Sequence, residues 1–115
     1  MKVLVCGDRE WVDRKSVYDR LRGLPVGALV IHGGCRGADE IAGACAKQLG
    51  FLVQVFPALW SSYGRAAGPI RNRQMLDEKP DLVLAFHSDL KRSKGTRDTV
   101  REAERRGIPV EVIRL

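Results

Sequence analysis

No stretch of this 115-residue chain approaches the roughly 20 consecutive apolar residues that span a bilayer, so a membrane-crossing helix is excluded. The amino terminus, MKVLVCGDR, carries an apolar run too short for a secretory leader, and a cytoplasmic location is the expectation. Cysteine is sparse. Cys6, Cys35 and Cys45 are odd in number and lack CxxC spacing, which argues against a disulfide framework or a zinc knuckle and predicts free thiols. His32 and His87 have no cysteine or carboxylate companions at ligand spacing, so no metal is expected. Aromatic residues make up only 6% of the chain, which predicts a mainly aliphatic core. Repeats, linkers and low-complexity stretches are missing as well, and the length suits one domain over residues 1–115.

Charge, in contrast, is plentiful, with a net value of +6 whose larger part lies in residues 65–106. Such a surplus favours anionic partners without choosing between a free nucleotide, a polynucleotide and a merely solvated helix face. Five short apolar runs recur, at residues 3–6, 28–31, 52–56, 82–86 and 110–113, each of strand length. Helical spacing separates them: Val17, Leu21 and Leu24; Ile41, Cys45 and Leu49; Met75 and Leu76 after Pro69; Val100 and Ala103. Alternation of this kind predicts an α/β fold, a Rossmann-like α/β/α sandwich around a five-stranded parallel sheet. The third and fifth runs are broken by Gln54 and Glu111, so they belong at the edges, which selects the order 3-2-1-4-5. Ligands are then expected where the loops after the first and fourth strands diverge.

The sharpest motif is His32-Gly33-Gly34-Cys35-Arg36-Gly37-Ala38-Asp39, which leaves a strand and opens a helix. Glycines admit left-handed backbone angles and close ligand approach, and the first N–H groups of a helix bind phosphate. Gly33, Gly34, Arg36, Gly37, Ala38 and Asp39 are therefore candidate ligand contacts; the plainer alternative is a glycine turn whose Asp39 complements the helix dipole. After the first strand, Gly7-Asp8-Arg9 does not continue as GxGxxG, since Arg9 and Val12 stand at glycine positions. His32 occupies the place of the usual acidic ribose ligand, so neither NAD nor FAD, nor any other cofactor, is expected. Gly7 and Arg9 are candidate contacts for the ligand itself, with a surface ion pair as the alternative for Arg9.

Gly68-Pro69-Ile70-Arg71-Asn72 opens another helix, with proline in a suitable place. Arg71 and Asn72 are expected in its first turn, where a cation opposes the helix dipole at a cost of about 0.3–1 kcal/mol. That cost marks both as candidate contacts, against a cap or an interhelix contact. Ser93-Lys94-Gly95-Thr96 enters the last helix, with Thr96 the expected N-cap. Ser93, Gly95 and Thr96 form either a second phosphate cradle or simple capping beside a basic run. In the long connection from Pro57 to Gly68, Trp60 and Tyr63 either stack on a base or, the preferred reading, cover the core.

Taken in order, Gly7-Asp8-Arg9, the Gly33 to Asp39 turn, Phe56-Pro57-Ala58, Gly68-Pro69-Ile70-Arg71-Asn72 and Pro80-Asp81-Leu82-Val83-Leu84-Ala85-Phe86 resemble the YspA-like branch of the SLOG superfamily over nearly the whole chain. The resemblance implies a Rossmann-like domain that binds or processes nucleotides or nucleotide-derived signals. It also implies kinship with LOG-type phosphoribohydrolases, which release a base from nucleoside monophosphates, and with the DNA-binding processing protein A. Relatives often pair through helices, which implies a homo-oligomer. The chain departs from the LOG-type PGGxGTxxE pattern: Gly95-Thr96 match, but Arg92 and Ser93 stand at the glycine pair, Thr99 stands at the glutamate, and Asp98 faces elsewhere. No catalytic residue is assigned for that reason, and a hydrolase would need a carboxylate from Asp8, Asp39 or Asp89. The expected function is binding of a nucleotide or nucleotide-derived phosphate at the carboxyl ends of the strands, as a sensor or sequestering module. Nucleotide hydrolysis is the first alternative and nucleic-acid binding the second.

Overall fold

The three unbroken apolar runs become the inner strands of one parallel sheet. A computed structural model describes residues 1–115. Its strands are β1 (Lys2–Gly7), β2 (Leu29–His32), β3 (Leu52–Val55), β4 (Leu82–Phe86) and β5 (Val110–Ile113), in the order β3-β2-β1-β4-β5. Val3 is paired with Val30 on one side and Leu82 on the other, which fixes the register of the three central strands. Gln54 and Glu111 do lie on the two edge strands, where Glu111 is exposed and bonded to Arg20 at 2.5 Å.

Five helices connect the strands: α1 (Arg14–Leu21), α2 (Ala38–Gln48), α3 (Trp60–Tyr63), α4 (Ala67–Asp77) and α5 (Gly95–Arg105). Side chains alternate along a strand, so the sheet feeds two apolar layers. Val3, Val5, Val30, Leu84 and Phe86 pack with residues of α1 and α2 on one face. Leu4, Cys6, Ile31, Val83 and Ala85 pack with α4 and α5 on the other. No helix is long and apolar enough to cross a membrane.

Three local expectations are corrected. Helix α1 stops at Leu21, and Leu24 reaches the same core from the Gly23–Pro25 turn, glycine and proline being poor continuations of a helix. Helix α4 starts at Ala67, so Pro69 is its third residue, and Arg71 and Asn72 belong to the second turn, beyond the strongest part of the dipole. Helix α5 is capped by Ser93, whose hydroxyl accepts the Thr96 N–H at 3.0 Å, and Thr96 itself is helical. The long connection is also organised. It holds α3 and a single 3-10 turn, Gly64–Ala66, after the edge strand β3. Trp60 and Tyr63 therefore cover no core and remain 53% and 48% exposed.

Phe86 joins these layers to the carboxyl end of the sheet. Its fully buried ring meets Trp11 edge-to-face at a centroid distance of 5.7 Å, and its carbonyl accepts the Asp8 N–H at 2.9 Å. Replacing Phe86 with Ala should destabilise the fold by about 3–5 kcal/mol. Urea titration would read this as a lower midpoint at unchanged slope; a loss under about 1 kcal/mol would contradict the packing described.

Candidate functional site: a cationic cleft at the sheet switch point

Strands β1 and β4 lie side by side, but their chains depart in opposite directions, β1 toward α1 and β4 toward α5. A parallel sheet opens a crevice at such a point. Here the crevice is a cleft of about 450 Å3. The first loop supplies Gly7, Asp8, Arg9 and Glu10; the loop after β2 supplies Cys35, Arg36 and Asp39; α4 supplies Arg71 and Asn72; and the approach to α5 supplies Arg92 to Thr96. Arg9, Arg36, Arg71, Arg92 and Lys94 face only three carboxylates, those of Asp8, Glu10 and Asp39.

Most candidates from the sequence meet here: Gly7, Arg9, Arg36, Asp39, Arg71, Asn72, Ser93, Gly95 and Thr96 all line the cleft. Gly33 and Gly34 line an adjoining hollow of about 300 Å3. Gly37 and Ala38 line neither. Gly37 takes φ +77°, and any side chain on it would strike the Asp8 and Arg9 carbonyls; Ala38 is fully buried and donates its N–H to Asp8 O at 3.1 Å.

The glycine turn is braced from within. Asp39 Oδ2 accepts the Gly33 N–H at 3.0 Å and the Cys35 N–H at 3.3 Å, while the Gly34 N–H donates to His32 Nδ1 at 3.0 Å. Three amides that the sequence offered to phosphate are thus satisfied by the protein's own side chains. Arg71 reaches the same turn from α4. Its Nη1 donates to Gly33 O at 2.8 Å and Phe56 O at 3.3 Å, and its Nε donates to Asn72 Oδ1 at 2.9 Å. The guanidinium lies so close that Gly33 has no room for a side chain. Arg71 is 8% exposed, and Nη2 is its one nitrogen without an oxygen partner. At the mouth, Arg36 pairs with Glu10, with both side chains largely exposed, an arrangement worth little in stability.

The α5 wall differs. Asn72 Nδ2 donates to Asp98 Oδ2 at 3.1 Å, so Asp98 turns toward α4 and does not line the cleft. Asp89 pairs with Arg92 at 3.1 Å and is likewise absent from the lining. Thr99 donates its hydroxyl back to Gly95 O at 3.2 Å. Thr96 is 5% exposed and lines the cleft, and its hydroxyl has no hydrogen-bond partner in the protein.

Burial pushes the Asp39 carboxyl up to about 6, against the opposing pull of two backbone N–H groups, Arg71 and Arg9. Burial also holds the His32 imidazole below its usual range, with Lys47 adding to the effect. A neutral ring suits the bond that Nδ1 accepts. Burial pushes the Cys6 thiol far above its usual range, with Asp39 adding to the shift, so it is an unreactive thiol in the cleft floor. Cys6, Glu10 and His87 line the cleft without having been singled out. Position at the end of the first and fourth apolar runs was an available signal for Cys6 and His87; Glu10 gave none.

A sequence profile of the YspA, cpYpsA-related SLOG family matches residues 1–63. The Gene 61 protein of Mycobacterium phage D29 is 44% identical over 118 residues, spanning 95% of this chain and 93% of its own. Among solved structures, DNA processing protein A from Streptococcus pneumoniae is similar over 96% of this chain, with a TM-score of 0.75 at 22% identity. That likeness is one of fold, and the chain spans about half, 49%, of that longer protein.

The Asp39 shift carries a stability consequence. The folded carboxyl keeps its proton to higher pH than the unfolded one, so Asp39 makes the fold less stable as pH rises from 3.8 to about 6. Asp39→Asn, which retains an acceptor for the two amides, should gain on wild type across that window by up to about 3 kcal/mol. Asp39→Ala, which leaves both amides unpaired, should lose stability by about 1–3 kcal/mol. Urea titrations at stepped pH check both; a wild type and an Asn variant that run parallel from pH 4 to pH 7 would refute the burial argument.

Proposed function

The chain belongs to the YspA, cpYpsA-related SLOG family, and from that membership and the chemistry of the cleft we propose that it binds a nucleotide or nucleotide-derived phosphate as a sensor or sequestering module. The observation that carries this reading is the charge balance of the cleft, where Arg9, Arg36, Arg71, Arg92 and Lys94 meet only the carboxylates of Asp8, Glu10 and Asp39. The Thr96 hydroxyl opens into the same cleft and is free to donate, and an anion is the acceptor that this charge balance favours. The phosphate sits between Thr96 in the first turn of α5 and the arginines of the two facing loops, where helix dipole and guanidinium groups act together. The Gly33 and Cys35 amides, held by Asp39, act as scaffold for that seat.

A second reading, hydrolysis of an N-glycosidic bond, is favoured by Asp39 alone. It is a cleft carboxyl whose pKa of about 6 suits proton transfer near neutrality. Chromatography of nucleoside monophosphates incubated with the protein distinguishes it: released base supports hydrolysis, and an unchanged profile at high protein concentration removes it. A nucleic-acid partner, which the name of DNA processing protein A suggests, would show affinity falling steeply with salt through counterion release.

Calorimetry against mononucleotides, cyclic nucleotides and ADP-ribose tests the main reading. Binding should appear with at least one phosphate-bearing ligand. Thr96→Val should weaken it about 10-fold or more, the usual effect of losing one hydrogen bond to a charged group. Silence across the panel at millimolar concentration would overturn it.

A further inference from the structure

Beside the cleft lies the second hollow, of about 300 Å3, which phosphate binding alone leaves without a role. Arg9, Cys35, Arg36 and Arg71 line both cavities, so the two meet across a saddle that carries three guanidinium groups. Their far walls are chemically unlike. The cleft is mostly polar, ending at Asn72, Ser93 and Thr96. The hollow ends at Pro57, Ala58 and the indole of Trp60.

Trp60 has no structural task that accounts for it. No residue of α3 is buried, and Trp60 itself is 53% exposed. One edge of its ring lies over Gly68, where an added Cβ would come within 3.4 Å of Cη2. A half-exposed indole at the wall of a hollow is a platform for a flat heteroaromatic ring, because stacking needs an accessible π surface. A stacking platform, a cationic saddle and a polar well, in that order, match a planar base, a run of phosphates and a second hydroxyl-bearing group.

We propose that the ligand is a nucleoside diphosphate joined to a second sugar-like group. Its base stacks on Trp60, its diphosphate crosses the Arg9–Arg36–Arg71 saddle, and its second polar group reaches the Thr96 end of the cleft. This deepens the phosphate-binding reading and rests on it. Trp60 is then the specificity-determining residue, while the cleft alone holds phosphate-bearing fragments.

Three classes of probe separate the two claims by calorimetry: ribose 5-phosphate, which can occupy the cleft alone; AMP, which adds a base; and the diphosphate conjugates ADP-ribose and UDP-glucose. At least one conjugate should bind more tightly than AMP and ribose 5-phosphate. Trp60→Ala should weaken that conjugate roughly 10-fold to 100-fold, the usual range for one stacked base, and leave ribose 5-phosphate unchanged. Trp60→Phe, which keeps an aromatic face, should restore most of the loss. Conjugate binding should also quench tryptophan fluorescence in the wild type and not in Trp60→Phe, because Trp11 is buried at 4% exposure on Phe86. Ribose 5-phosphate binding with no gain for either conjugate, or a conjugate indifferent to Trp60→Ala, overturns this proposal and leaves the phosphate seat standing. Silence from every probe overturns both.

Discussion

The backbone of Gly33 is gripped on both sides by buried charges of opposite sign. Its N–H goes to Asp39 on α2, and its carbonyl takes Nη1 of Arg71 from α4. Those helices cover opposite faces of the sheet, so a single residue at the tip of β2 ties the two layers together where the cleft begins. Burying either charge alone would cost several kcal/mol; hydrogen bonds to backbone and the presence of the opposite charge nearby reduce that cost. Arg71 also holds Phe56 at the exit of β3, and so fixes the start of the segment that carries Trp60. The positions of both cavities follow from this one junction.

The same junction decides how the cleft handles negative charge. A glycine turn at a helix start would ordinarily present its amides to an anion. Here the Asp39 carboxylate occupies part of that ground, as an internal anion that never leaves. In the binding reading proposed above, recognition therefore passes from backbone amides to side chains, chiefly the guanidinium groups of Arg9 and Arg36 and the hydroxyl of Thr96. Guanidinium groups on exposed loops adapt to a ligand more readily than fixed amides, at a larger entropic cost on binding.

Sheet order was legible because polarity marks edges: Gln54 and Glu111 are tolerable only where one side of a strand is open. Most of the cleft was legible for a related reason, since the switch point follows from strand order and the loops around it follow from chain position. What escaped were side-chain destinations. Asp39 reads in sequence as a ligand contact or, more plainly, a dipole partner, yet its short side chain folds back onto amides four and six residues earlier, a local bond that no periodicity reveals. Arg71 was singled out through a supposed dipole conflict, but α4 begins two residues earlier than Pro69 suggests, and the arginine braces a loop. Trp60 was assigned to the core because large aromatics are usually buried; chain direction after an edge strand, which composition does not encode, left it outside.

The family profile ends at residue 63, so it takes in β1, the braced glycine turn and Trp60, while the α4 and α5 walls lie beyond it. The α5 wall is also where the chain leaves the LOG-type pattern it resembles, and the geometry gives that departure a physical meaning. Ser93, in place of a glycine, spends its hydroxyl on the Thr96 amide, and Thr99, in place of the glutamate, returns its hydroxyl to Gly95. Both substitutions turn inward and stabilise the helix start, which withdraws an amide and a carboxylate from the cleft. What they leave on this wall of the cleft is the Thr96 hydroxyl with the positive charges of Arg92 and Lys94, a surface suited to the anion proposed above. The groups in the cleft that could move a proton are Asp8, Glu10, Asp39 and His87, and each is already engaged: Asp39 with two amides, Asp8 with the Glu10 N–H, Glu10 with Arg36, and His87 Nδ1 with the Asp89 N–H. Diverting Asp39 to chemistry would loosen the junction on which the cleft depends, which is the physical ground for placing the binding reading proposed above ahead of hydrolysis.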